Sequence, residues 1–206
     1  MRNELKYHFL KKDILKIKFE ILRQNFFKAY DDRFVNSLYF DDIKLNSFYD
    51  NIEGNLSREK VRARWYNEIK NEEFLFIEKK IKHNMLGKKL KHKVNIQKQK
   101  KLSDKFVEFI NYEVNQLYNT RLNPLVITSY SREYYENLSG VRLTIDKNLK
   151  FINPKSFEFK EFKYFILEIK FPKNFKPNLS FLNGTNTLFT KNSKYSNGIE
   201  RLYFKN

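Results

Sequence analysis

Lys60-Val61-Arg62-Ala63-Arg64-Trp65-Tyr66 alternates strictly, with the cations Lys60, Arg62 and Arg64 two apart and Val61, Ala63 and Trp65 between them. A period of two is that of a β-strand, so the stretch predicts a strand with one charged and one apolar face. The same signature recurs outward along the chain. Glu78 and Lys80 repeat the spacing; Arg142, Thr144 and Asp146 oppose Val141, Leu143 and Ile145. Glu168 and Lys170 alternate with Leu167, Ile169 and Phe171, while Glu4 with Lys6 and Tyr130 with Arg132 make shorter pairs. Taken singly, each is an ordinary half-buried strand with a solvated outer face. Taken together, they are satisfied by strands curling into an antiparallel β-barrel with a charged, wet interior and helices packed outside. Such an interior repels itself unless it holds an anion, and the interleaved carboxylates suit a divalent cation with oxygen ligands.

The remaining pattern gives an α+β chain. Helical spacing of Ile14, Ile17, Ile21 and Leu22 predicts a helix from about Asp13 to Arg23, with Asp13 as N-cap. A second helix is expected over Ile43–Ile52, stopped by Gly54. The strongest is Ser103–Leu117, where Ser103 caps an apolar face of Phe106, Val107, Ile110, Val114 and Leu117. Strands are expected at Val35–Phe40, Lys60–Tyr66, Phe74–Lys80, Leu125–Tyr134, Val141–Asp146 and Phe162–Phe171. The Lys-rich stretch His83–Lys93 ends in another. The tail holds an Asn183-Gly184 turn, then a loop over Ser193–Tyr203 leading into a closing helix.

Composition sets the bounds. The 206 residues are expected to form one domain, residues 1–206, and 41 Lys+Arg against 24 Asp+Glu leave a net charge of +17. With 17% aromatic residues the chain can fill a core. Without cysteine, disulfides, thiolate metal sites and a Cys nucleophile are excluded. The basic set is 31 Lys and 10 Arg in an Asn-, Ile- and Phe-rich background, so an Arg carries more information than a Lys. The charged N-terminus lacks a signal peptide's apolar core and no apolar run has the length of a membrane span. A cytoplasmic protein is therefore expected, with any membrane association supplied by a partner. His8, His83 and His92 lack metal-ligand spacing and read as surface residues, and Lys98–Lys101 as a solvated run.

Here the motifs point to a family. Glu4-Leu5-Lys6-Tyr7, Ser37-Leu38-Tyr39-Phe40-Asp41, Lys60–Tyr66, Phe76-Ile77-Glu78-Lys79-Lys80, Tyr130-Ser131-Arg132, Val141–Asp146, Leu167-Glu168-Ile169-Lys170 and Ser193-Lys194-Tyr195-Ser196 fall in this order along the chain. The ordered set resembles the VTC domain, the polyphosphate polymerase domain of the triphosphate tunnel metalloenzyme superfamily. The resemblance implies a barrel tunnel in which the γ-phosphate of ATP passes to a growing polyphosphate chain, releasing ADP. It implies that Arg62 and Arg64 grip nucleotide phosphates, with Lys60 beside them. Lys80 and Lys91 (preferred over Lys93) would line the tunnel. Arg132, Arg142 and Tyr130 would bind from the opposite wall, and Lys6 would sit near the transferred group. Glu168, with Glu4 and Glu78, would hold Mn²⁺ or Mg²⁺, supported by Lys170. Lys194 and Ser196 would cap one mouth.

The partners implied are ATP, inorganic polyphosphate and a separate membrane protein; nucleic acid is disfavoured because no exposed aromatic platform is evident. The related CYTH branch opens Glu-x-Glu-x-Lys, but Arg2 stands at the first position here, which disfavours a CYTH-like triphosphate hydrolase. A non-catalytic tunnel that only binds polyphosphate or nucleotide is the other alternative, since binding and catalysis would use the same residues.

Overall fold

The computed structural model describes the chain except for Met1, Met85, Lys100, Gly184, Asn192, Lys205 and Asn206, so Gly184 of the expected turn and Lys100 of the basic run lie outside the described residues. Alternation becomes strand at each place where it was read. The strands are β1 (Arg2–Leu10), β2 (Phe27–Asp41), β3 (Ser57–Tyr66), β4 (Phe74–His83), β5 (Leu86–Asn95), β6 (Asn123–Glu136), β7 (Arg142–Ile152), β8 (Phe159–Glu161), β9 (Tyr164–Pro172) and β10 (Leu188–Phe189). The helices are α1 (Ile14–Arg23), α2 (Asn46–Glu53), α3 (Asp104–Tyr118) and α4 (Lys194–Ile199), the last running into a π-type turn at Glu200–Phe204. The sheet has ten strands in the order β10-β1-β9-β7-β6-β2-β3-β4-β5, with β8 beside β7. Its path ends at β10 and β5, and among the described residues no pairing joins those ends.

The chain divides into two compact units interleaved in sequence. The first comprises Met1–Arg33, Tyr130–Leu149 and Glu161–Asn192; the second comprises Phe34–Ser129, Lys150–Lys160 and Ser193–Asn206.

In the first unit, Ile17 and Ile21 of α1 pack on Phe9, Leu143, Ile145, Phe165, Leu167 and Ile169, the apolar sides of β1, β7 and β9. Each such side chain taken out of water contributes about 1.5–3 kcal/mol. A buried carboxylate sits on this side of β6. Glu133 accepts from Lys18 at 2.7 Å, from the Tyr135 hydroxyl at 2.6 Å and from Lys147. Burial alone would raise its pKa, but these donors bring it down to about 2.

In the second unit, Phe106, Val107, Ile110 and Val114 of α3 cover Leu38, Val61, Ala63, Trp65, Leu75, Ile77 and Val94. Trp65 meets Phe106 edge-on, with ring centroids 5.3 Å apart. Ser103 caps α3 as expected, its hydroxyl accepting from the Phe106 N–H at 3.3 Å. Leu117 departs from that face and is 37% exposed. Gly54 ends α2 in the left-handed conformation, φ 76°, as its position implied.

Four local expectations are corrected. Asp13 precedes α1, but its side chain makes no cap hydrogen bond and its backbone is already helical. α2 starts three residues later than expected. Asp42 draws the N–H groups of Lys44 and Asn46 to its carboxylate, and Asp41 draws those of Ser47 and Phe48. The Ser193–Tyr203 stretch is helical from Lys194, because the Ser193 hydroxyl accepts from the Ser196 N–H. His8 is also half-buried, its ring stacked on Tyr164 and edge-on to Phe162, rather than a surface residue; His83 and His92 are exposed.

Candidate functional site

Register converts the alternation into a lattice in the second unit. Antiparallel pairing sets Tyr39 opposite Arg62, Arg62 opposite Glu78 and Glu78 opposite Lys91. A second row runs Ser37, Arg64, Phe76, Lys93, and a third runs Lys60, Lys80, Lys89. Strands lie about 4.8 Å apart, so these side chains form one continuous patch on the face opposite α3. Lys60, Arg62, Arg64, Lys80, Lys89, Lys91 and Lys93 surround the carboxylate of Glu78.

Glu78 is 4% exposed. Its Oε2 accepts from Arg62 Nε at 2.8 Å and Nη2 at 2.7 Å, and Lys89 lies 2.5 Å from Oε1. Burial would raise the carboxyl, but Arg62, Lys89 and Arg64 pull it down to about 2. Arg62 Nη1 also donates to the Tyr39 hydroxyl at 3.2 Å, and Arg64 Nε donates to Ser37 Oγ at 3.1 Å. Tyr39 reports the local field. Burial alone would make its phenol a weaker acid, yet Arg62, Arg64 and Lys194 lower its pKa. Lys91 and Lys93 lie over the rings of Phe76 and Phe74, at 3.5 and 3.4 Å from the centroids.

The expected cap residues hold the edge of the patch. Lys60 donates to Ser193 Oγ at 2.9 Å and to Asn51 Oδ1, while Asn51 Nδ2 donates to Ser196 Oγ at 2.7 Å. Ser196 is buried, so its hydroxyl acts through Asn51 on Lys60. Behind it, Tyr195 stacks on Tyr39 at 5.5 Å and donates its hydroxyl to Asp41 Oδ2. Asp41 thus ties α4 to the start of α2.

The first unit carries the other half of the expected residues, with a different charge balance. Glu4 pairs with Lys170 and Lys6 with Glu168 across β1 and β9, and Arg142 and Thr144 follow on β7 opposite Lys170 and Glu168. Lys6 lies 2.8 Å from Glu4 and 3.7 Å from Glu168; Lys170 contacts Glu168 directly and Glu4 at 3.8 Å. Arg142 approaches Glu136 at 3.6 Å. Arg132 makes a two-bond pair with Asp146, Nε to Oδ1 at 2.6 Å and Nη2 to Oδ2 at 2.8 Å, over the Tyr130 ring. Burial would lower the Arg132 pKa, but Asp146 raises it, so the guanidinium stays charged. Here acid and base are matched.

Of the expected metal ligands, Glu4 and Glu168 therefore stand together in the first unit, and Glu78 is engaged with Arg62 in the second. Among the described residues, no group of three or more His, Asp or Glu is arranged to hold a metal ion. One oxygen next to Glu168 is unspent: Thr144 Oγ1 is buried and has no hydrogen-bond partner among the described residues. Sequence reasoning missed Tyr39, Ser37 and Lys89 as members of the patch, although their period-two places in Ser37–Asp41 and Lys89–Lys93 carried the signal. Asn51 and Ser193 had no such signal, since they reach Lys60 only through the fold.

A model of the VTC domain family matches residues 1–203. No curated protein sequence matches this chain. Among solved structures, the PH1819 protein of Pyrococcus horikoshii OT3 shares the fold at a TM-score of 0.53 and 14% identity, over 97% of this chain and 96% of that one. A putative adenylyl cyclase from Hippeastrum, described as having a dominant triphosphatase activity, aligns at 0.47 and 12%, over 84% and 80%. The inorganic triphosphatase NE1496 aligns at 0.38 and 9%, over 97% and 95%. The antiparallel sheet, with helices on its apolar sides and charge on the others, is the architecture expected from the sequence, except that the expected barrel is open: among the described residues no pairing joins β10 to β5. With the family match running over nearly its whole length, the chain belongs to the VTC domain family.

Proposed function

We propose that this chain is a polyphosphate polymerase, a triphosphate-binding enzyme that passes the γ-phosphoryl group of ATP to the end of a polyphosphate chain. The observation that carries this reading is the cation lattice of the second unit, where strand register gathers Lys60, Arg62, Arg64, Lys80, Lys89, Lys91 and Lys93 around Glu78. A patch of that charge density calls for a ligand with several adjacent negative charges, which a triphosphate and a phosphate chain both supply. Arg62 and Arg64 present rigid forks for nucleotide phosphates, and Lys60, Lys80, Lys91 and Lys93 extend the grip along neighbouring strands. Lys194 adds to the same field.

The chemistry needs alignment more than reactive groups. A terminal oxygen of the acceptor chain forms a bond to the γ-phosphorus. The bond from that phosphorus to the β–γ bridging oxygen breaks, and the oxygen leaves on ADP. One phosphoanhydride replaces another, so no protein nucleophile is required. Fixed cations neutralise the charge on the equatorial oxygens. In the first unit Lys6, Lys170, Arg142 and Arg132 supply further cations beside Tyr130. Glu4, Glu168 and the Thr144 hydroxyl are a hard oxygen set that fits the divalent cation, Mn²⁺ or Mg²⁺, implied by the family. Bound there, the ion would neutralise phosphate oxygens that Lys6 and Lys170 otherwise face.

The test is incubation of purified protein with ATP and Mn²⁺, measuring ADP and polymer. Polymer formed in step with ADP is the expected result. Orthophosphate without polymer would assign a hydrolase, and bound ATP without turnover would assign a binding module.

A further inference from the structure

α1 uses one face for the core and leaves the other to solvent. Ile17 and Ile21 are 0% exposed, whereas Leu15, Phe19 and Leu22 are 77%, 65% and 59% exposed. Their i, i+4, i+7 spacing lines them on one ridge. Lys11, Lys12 and Lys16 are exposed on the flanks of that ridge; of the two acids on this segment, Asp13 follows Lys12 and Glu20 is paired with Arg23 at 2.9 Å, so that Lys11, Lys12, Lys16 and Lys18 outnumber them and give it a net basic margin.

We propose that this ridge is a docking surface for an anionic lipid membrane, with Leu15, Phe19 and Leu22 entering the headgroup layer and the flanking lysines at phosphate level. An amphipathic helix with Leu and Phe on one side and Lys at its margins is built to lie in such an interface. Lysine stems can cover apolar surface while their ammonium groups reach the lipid phosphates. A second copy of the chain is a poorer occupant. It would set the same lysines against each other across a two-fold contact, between molecules each carrying +17.

The test uses the whole chain and sedimentation with vesicles of phosphatidylcholine alone or mixed with phosphatidylglycerol. Binding is expected to the mixed vesicles only and to weaken with salt. The double variant Leu15→Ser/Phe19→Ser keeps every charge and should lose at least about tenfold in partitioning. Both positions are exposed, so its circular dichroism should be unchanged. Phe19→Trp gives a second readout: Trp65 is the one native tryptophan and is 3% exposed, so a blue shift on adding mixed vesicles reports the new side chain entering lipid. Equal binding by the serine variant would assign the attraction to the cation lattice and overturn the proposal. So would absence of wild-type binding, or wild-type self-association that the serine variant abolishes.

Discussion

Replacing Glu78 by Gln keeps the side chain's shape and removes the carboxylate at the centre of the cation lattice. In the folded chain this carboxyl is drawn from an ordinary 4.5 to about 2, burial being outweighed by Arg62, Lys89 and Arg64. At about 1.36 kcal/mol for each pH unit, the drop would be worth ~3.4 kcal/mol if fully shielded. Lys89 is half exposed, and solvent screening reduces this to roughly 2–3 kcal/mol. A carboxyl whose folded pKa lies below its unfolded value stabilises the fold above the unfolded pKa. That stabilisation fades as pH falls from 4.5 towards 2. Glu78→Gln should therefore cost about 2–3 kcal/mol in urea unfolding at pH 7, and the gap between variant and wild type should close towards pH 2. The same change should tighten metal-free triphosphate binding about 5–30-fold at low salt, because one opposing charge has gone. Equal stability at pH 7, or weaker metal-free binding by a folded variant, would refute the view of Glu78 as counter-ion to Arg62. A loss of binding seen only with Mn²⁺ present would place Glu78 with the metal instead.

Arg64→Ala should raise the nucleotide KM about 10–150-fold in steady-state assays, since a charge-assisted phosphate contact is worth roughly 1.5–3 kcal/mol. Glu168→Ala should abolish turnover with an unchanged circular dichroism spectrum; wild-type turnover would remove Glu168 from the metal. Glu133→Gln removes a buried carboxylate from its partly exposed partners Lys18 and Lys147 and should lose about 2–3 kcal/mol by urea titration at neutral pH. At Gly198, an added Cβ would lie 2.7 Å from Val126 Cγ2 and 3.0 Å from Phe151 Cδ1. Gly198→Ala should cost about 1–3 kcal/mol, read as a fall in Tm of roughly 2–4 °C per kcal/mol.

The sequence carried the strands wherever apolar and ionic residues alternate, because that period survives any tertiary context. It carried α3 for the same reason, together with its Ser103 cap. The first half of β2 was silent: Lys28-Ala29-Tyr30-Asp31-Asp32 has no apolar alternation, and five of the six residues from Phe27 to Asp32 are exposed. Asp13 misled, since a short 3-10 turn at Lys11–Asp13 leads directly into α1 and leaves no free N-terminal turn for its side chain to cap. The candidate site was legible as a list of side chains but not as charge balance. Arg132 and Arg62 read alike in sequence; the fold gives one both oxygens of Asp146 and leaves the other sharing Glu78 with Lys89. That difference depends on which strand lies opposite, which one strand's own pattern does not encode.

The bond from Tyr195 to Asp41 spans 154 residues of sequence. It joins a strand to a helix synthesised much later, and Lys60 waits for Ser193 over a similar interval of 133 residues. During translation the strands bearing Arg62, Arg64 and Lys80 leave the ribosome well before the residues that fix the edge of their patch, at a rate of roughly 5–20 residues per second. A nascent chain would thus carry exposed cations in the presence of ribosomal RNA before the edge of their patch is fixed. Completion of that edge waits for α4, which makes this helix the step that separates a basic chain from one whose cation patch is fixed in place.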